Sequence, residues 1–249
     1  MIGRTSRNIV ALGVAAVMVM AVCSGGAFAA DPDPKGLLGK MSAEIAKLDS
    51  YEINGDAYAD ARLAAGQIIE HPSQVRLRLR KPGTLRLTNT DTENTKEIFF
   101  NDGILTVYSR LENFYAQTKI PKDIESAVTF AIDEIGIDAP LLDFVSTNVS
   151  ENLLQAAGEV RYLGTSLIRE KVHHHIGLRG PEVDIQIWIS ADGPPLPGKV
   201  VMTSKWEGGS PRFVAFLTWD TSPSIPTDSV RFEPPQGATE IEFLLDSQD

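Results

Sequence analysis

The chain has one cysteine among its 249 residues, Cys23, and it directly follows the only stretch that is apolar for long. If both belong to a removable leader, the working protein has no thiol. That excludes disulfides, cysteine metal sites and thiol catalysis together, and leaves stability in an oxidising compartment to core packing. Positive charge is also short, with 23 Lys and Arg against 33 Asp and Glu and a net charge of −10. Such a balance argues against nucleic acid and against general adhesion to anionic membranes, both of which reward cationic surfaces. Nucleophile and phosphate signatures are missing as well: there is no G-x-S-x-G elbow, S-x-x-K, H-E-x-x-H, P-loop or G-x-G-x-x-G fingerprint. Nothing after residue 30 is apolar for long enough to span a bilayer.

What is present begins with that leader. Arg4 and Arg7 form a basic n-region, Ile9 to Val22 is apolar, and Ala27-Phe28-Ala29 is an A-x-A cleavage pattern. This predicts a secretory signal peptide over residues 1–29 and a mature chain over 30–249, soluble, exported and periplasmic. Cys23 could be read as a lipid attachment site, but Val22 fills the position where lipoprotein signals want a small residue. Loss of the leader removes Arg4, Arg7 and no acid, so the mature charge becomes −12.

Hydrophobic spacing then sets the elements. Leu37, Met41, Ile45 and Leu48 form one stripe at helical spacing, which predicts a helix over 33–48. From Tyr51 the period changes to two. The clearest strand runs over 74–80, with Val75, Leu77 and Leu79 alternating with Arg76, Arg78 and Arg80, and continues past Lys81-Pro82-Gly83 through Leu85 and Leu87. Strands over 96–100 and 104–108 flank the hairpin signal Asn101-Asp102-Gly103, and another lies near 113–118. The middle is helical: Asp123 suits an N-cap for 124–135, with Ile124, Val128, Ala131 and Ile135 as its stripe and Gly136 as its stop. Short helical segments follow over 141–145 and 150–157. A second strand set covers 160–166, 171–179, 183–190, 199–206 and 212–219.

The order helix, meander, helical insert, meander, with no linker to divide it, predicts one domain. Its class is mainly β (α+β): a strongly curved antiparallel half-barrel of about ten to twelve strands, with a helical lid packed into the concave face.

Several segments carry a family resemblance. They are Leu37 to Ser42, Asn101 to Tyr108, Glu112 to Ala116, Gly136 to Leu141, Tyr162-Leu163-Gly164, His174-His175, Gln186 to Ile189 with Pro195-Leu196-Pro197, and Phe232 to Ala238 with Ile241 and Phe243. Together they resemble an exported bacterial family, domain of unknown function 2092, of predicted periplasmic proteins. That family is similar in fold to the lipoprotein-carrier superfamily of LolA, LolB, LppX and RseB. The resemblance implies a LolA-like half-barrel of about a dozen strands with a helical lid, a shape used to hold acyl chains or lipoproteins. It transfers no individual ligand-contacting residue.

Local clusters have modest readings. His173, His174 and His175 lie in a strand, so His174 shares a face with Val172, Ile176 and Leu178, and the other two share the opposite one. Two imidazoles at i and i+2 can grip a metal, but a site wants three or four ligands, and packing is the reading adopted. Arg76, Arg78, Arg80 and Arg86 form a basic stripe, read as a solvated outer face paired with acids, with a docking surface for an anionic headgroup or a partner as the functional alternative. Trp188, Trp206 and Trp219 are read as packing residues.

The functional expectation is an exported, non-enzymatic binding module that holds an acyl chain, lipid or lipoprotein segment in an apolar cleft between sheet and helices. Val75, Leu77, Leu79, Leu85, Leu87, Ile185, Ile187 and Ile189 would line it from the sheet, and Val128 and Ala131 from the lid. No catalytic residue, cofactor or metal is assigned. The alternative is a structural or envelope-stress-sensing module with a self-filled core, no lipid ligand and an envelope protein as its partner.

Overall fold

A computed structural model describes residues 31–137, 139–205 and 210–243. The expected leader with Arg4, Arg7, Cys23 and the A-x-A motif, and Trp206, lie outside the described residues.

The chain enters through helix α1, Pro34–Ala46. Its N-cap Asp33 accepts hydrogen bonds from the Lys35 and Gly36 amides, and Pro34 stands at the first helical position, where its missing N–H costs nothing. Six antiparallel strands follow: β1, Ser50–Arg62; β2, Ile68–Arg80; β3, Thr84–Thr90; β4, Thr95–Asn101; β5, Ile104–Ser109; and β6, Phe114–Lys119. The β4–β5 hairpin turns at Asp102 and Gly103, both at positive φ (52° and 79°), as an Asn-Asp-Gly turn requires. The β1–β2 hairpin is longer than alternation alone suggested, because pairing continues as far as Arg62 and Ile68.

Helix α2, Ile124–Asp133, is capped by Asp123, which accepts from the Ser126 amide. It stops two residues short of the expected Ile135. Gly136 adopts φ 72°, and the Gly136 and Ile137 amides close back onto the Ile132 and Ala131 carbonyls, a C-terminal glycine cap. A 3-10 turn over Pro140–Phe144 and helix α3, Val149–Ala156, come next. The second meander is β7, Glu159–Ile168; β8, Lys171–Arg179; β9, Val183–Ser190; β10, Pro197–Ser204; and β11, Arg212–Asp220. A short strand β12, Thr239–Ile241, which alternation did not reveal, closes the described chain.

All twelve strands belong to one curved, unclosed sheet in the order β12-β6-β5-β4-β3-β2-β1-β11-β10-β9-β8-β7. The expected half-barrel is the observed fold. The joint between the two meanders is the β1–β11 pair, Glu52–Ala59 against Asp220–Phe213. Because β6 and β7 stand near opposite edges, the connection between them has to traverse the sheet. That crossing carries α2, the 3-10 turn and α3 over one face. After β11 the chain returns over the other face. Phe232 packs there on Phe99, Tyr108 and Tyr115 at centroid distances of 5.4, 5.4 and 5.1 Å, and β12 joins β6 in parallel.

The core lies on the helix-covered face. Tyr51, Ile53 and Ala57 of β1, Leu77 and Leu79 of β2, and Ile185, Ile187 and Ile189 of β9 meet Leu38, Met41 and Ile45 of α1 in a single apolar cluster that also takes in α2, α3 and the 3-10 turn. The Tyr51 hydroxyl donates to the Phe144 carbonyl at 3.0 Å, which ties the sheet to its cover, and within the cover the Ser42 hydroxyl of α1 donates to the Thr147 carbonyl before α3 at 3.3 Å. Burial pushes the Tyr51 phenol well above its ordinary pKa, so it stays a donor.

Candidate functional site

The ten residues expected to line a cleft do come together. Val75, Leu77, Leu79, Leu85 and Leu87 share the inner face of β2 and β3, Ile185, Ile187 and Ile189 that of β9, and Val128 and Ala131 face them from α2. None is more than 6% exposed. The space between sheet and helices is occupied by side chains, chiefly Leu37, Leu38, Met41 and Ile45 of α1 and Leu141, Leu142, Phe144 and Val145 of the 3-10 segment. Periodicity had drawn α1 correctly, but its place as the principal filler follows from packing on α3 and β7, which pattern does not contain.

At the rim of this layer, a cavity of about 210 Å³ opens beside α2, lined by Glu125, Val128, Thr129, Ile132, Asp133, Leu142, Asp143, Ser146 and Asn152. Glu125 fastens the start of α2 to the loop before α3, accepting from the Ser146 and Thr147 hydroxyls at 2.8 Å each and from Asn148 at 3.4 Å. The rest of α2 is held thinly, through Ile124, Ala127, Val128 and Ala131.

The outer face of β2 and β3 carries the arginine row. Glu52 takes Arg78 at 2.6 Å and Arg76 at 3.6 Å. Burial alone would raise the Glu52 carboxyl, but hydrogen bonds from Arg78 and Asn54 and the two guanidinium charges overcome it and hold the group below the usual range. Glu97, only 3% exposed, serves Arg86 and Arg110 in the same way and is likewise depressed against its burial. Arg80 reaches the Thr227 hydroxyl at 3.4 Å, and Arg86 donates to the Ser229 carbonyl at 2.8 Å, which fastens the returning C-terminal segment. The arginine stripe points outward as alternation predicted, with carboxylate partners for Arg76, Arg78 and Arg86 and a hydroxyl partner for Arg80. Its acidic partners sit on neighbouring strands, so they depend on register.

The histidines separate into three packing roles. His173 is buried, bonded to the Lys171 carbonyl at 2.9 Å and seated on Gly198, whose missing Cβ makes room for the imidazole. His174, on the inner side, meets the Tyr162 hydroxyl at 3.1 Å. His175 stacks on Trp188 at 4.0 Å and contacts Gln186, while Lys199 stands over the Trp188 ring at 4.6 Å. Desolvation lowers the His175 pKa and lowers that of Lys199. Trp219 packs inward on Tyr51 and donates to the Pro197 carbonyl. Among the described residues no group of three or more His, Cys, Asp or Glu is placed to hold a metal ion.

An unclosed antiparallel sheet with three helices on one face and apolar side chains between the layers defines a half-barrel protein. Residues 35–244 match the family described as predicted periplasmic protein (DUF2092), and the chain belongs to that family and is a protein of the periplasm. No described helix is long and apolar enough to cross a membrane. No curated protein matches the sequence. Among solved structures, a conserved protein from Thermus thermophilus is similar over 84% of this chain and 98% of its own, at a TM-score of 0.47 and 10% identity. The Mycobacterium tuberculosis lipoprotein LppX is similar over 78% of this chain and 99% of its own, at 0.45 and 13%. Pseudomonas aeruginosa MucB, in a complex with MucA, is similar over 81% of this chain at 0.44 and 13%, and this chain spans 62% of its length.

Proposed function

We propose that this is a non-enzymatic periplasmic module that works through its surfaces, with the helix-covered face of its half-barrel filled by its own side chains. One observation carries the reading: all ten candidate cleft residues are buried in one continuous cluster with α1 and the 3-10 segment. A module of this kind presents a rigid sheet to an envelope partner and keeps its interior for stability.

A second reading, the acyl carrier, has its own support in the thin hold on α2. Burial of Ile124, Ala127, Val128 and Ala131 contributes about 4–6 kcal/mol gross. An acyl chain of roughly fifteen methylenes would gain on the order of 12 kcal/mol gross, enough to displace such a helix. In this reading a chain would enter through the cavity beside Val128 and Leu142.

The two are separated by native mass spectrometry with lipid extraction on protein purified from its own periplasm, followed by titration with a fluorescent fatty acid. The self-filled module yields no co-purified lipid and no saturable binding. Co-purified lipid, together with binding that Leu77→Trp weakens and Arg78→Ala leaves nearly intact, overturns it in favour of the carrier. The Trp variant must first be shown to fold, since overpacking alone costs about 1–3 kcal/mol.

A further inference from the structure

We propose that the outer face of the sheet carries a binding site for a phosphomonoester, built from five arginines. It lies across the sheet from the helices and stands whether or not the inner face ever opens. A pocket of about 570 Å³ is floored by β1, β2, β3 and β4, with Thr218 of β11 and Arg169 at one side and Arg110 at the other. Its arginines are Arg76, Arg78, Arg86, Arg110 and Arg169. Three are strand residues whose side chains alternate outward. Arg110 stands in the β5–β6 turn. Arg169 is brought in by the two-residue β7–β8 hairpin, where it and Glu170 both have positive φ (47° and 65°), the backbone of a tight turn.

The charge count makes this more than a paired surface. Arg76 and Arg78 share Glu52, Arg86 and Arg110 share Glu97, and Arg169 pairs with Asp56. Five guanidiniums thus face three carboxylates, an excess of two positive charges in a chain whose net charge is −10. A phosphomonoester carries about −1.5 to −2 at neutral pH, which matches that excess. Each guanidinium has five N–H donors in a fixed fork suited to phosphate oxygens, and Arg76 and Arg78 engage Asn54 and Glu52 through Nε, leaving donors to spare. The pocket is much larger than one phosphate, and Thr88, Thr90, Thr95 and Thr218 line it with hydroxyls fit for the polyol part of an ester. Such an ester could be free in the periplasm or be the headgroup of a lipid. The chemistry recognised is the same.

The test uses the full mature protein. Glycerol 3-phosphate is titrated calorimetrically, and vesicles of phosphatidylcholine with and without phosphatidic acid are used in flotation. The variant Arg76→Gln with Arg110→Gln is suited to it, because both side chains are about half exposed and Glu52 and Glu97 each retain a partner, Arg78 and Arg86. The control, Lys35→Gln with Lys40→Gln, makes the same charge change on exposed positions of α1. Wild type should bind saturably, less so as salt rises. The arginine pair should lose about tenfold or more in affinity, and the lysine pair less than about twofold. Binding of the soluble ester alone supports a free ligand, and flotation only with phosphatidic acid supports a headgroup. Either upholds the site. If circular dichroism shows the double variant unfolded, each single substitution serves in its place. Absence of saturable binding to both probes, or an equal loss in the lysine pair, overturns the proposal.

Discussion

Glu97 shows how much a single side chain can carry on a sheet surface. It is nearly inaccessible, yet it stays ionised because Arg86 and Arg110 both reach it. Removing one partner of such a group strands the others. Glu97→Gln should therefore cost about 2–3 kcal/mol, below the 3–5 typical of a fully buried pair because Arg110 is half exposed. Urea denaturation at neutral pH measures it, and an unchanged midpoint would count against the pairing. The acid dependence has a definite sign. A carboxyl whose folded pKa is depressed gives its stability in full above its unfolded value, 4.5, and loses it as pH falls through the lower folded value. Wild type should weaken on acidification below about pH 4.5, and the Gln variant should lack the Glu97 share of that decline. The strand alternation of Leu77 and Arg78 was legible because period two is a local property. The identity of the carboxylates was not, since Glu52 and Glu97 reach the arginines only through the register of β1 with β2 and of β3 with β4.

Among the elements, the helices differ in how firmly they are held. α1 buries Leu37, Leu38, Met41 and Ile45, whereas α2 buries two alanines beside Ile124 and Val128. Large aliphatic side chains contribute about 1.5–3 kcal/mol each when fully buried, so α1 has the deeper hold by several kcal/mol. In native-state hydrogen exchange, the central amides of α1 should be protected at least about tenfold longer than those of α2 beyond the Glu125 clamp. Equal or reversed protection would remove the basis for treating α2 as the movable part of the cover. Both stripes were readable at 3.6 spacing. Which helix fills the interior and which caps its rim was not, because Leu38 and Ala131 differ in depth by virtue of what faces them.

For the whole molecule the sheet order is the governing fact. The first meander begins, and the second ends, at the β1–β11 joint, and one run of helices covers both. We propose that residues 30–249 unfold as one cooperative unit, since neither meander has an apolar face that the other's cover does not share. Scanning calorimetry on the mature chain should give a single transition, with calorimetric and van't Hoff enthalpies in agreement. Two well-separated transitions would show that the meanders have private cores.

The sequence by itself determined the kinds of element, their approximate limits and which side of each faces inward. Those follow from local quantities: the spacing of Leu37, Met41 and Ile45, the alternation of Val75 to Arg80, the Asn101-Asp102-Gly103 turn and the caps at Asp33 and Asp123. Only the tertiary structure decided that β11 lies against β1, that the β6-to-β7 connection lays its helices across the inner face, and that Phe232 and β12 return over the outer one. It also decided that the expected lining residues are buried in one apolar cluster with α1, and that Arg110 and Arg169, unremarkable in sequence, join the arginine stripe around one pocket. The physical reason is the same in each case. Periodicity reports how one segment meets an unspecified neighbour, whereas filling a space and balancing charges depend on which distant segments become neighbours.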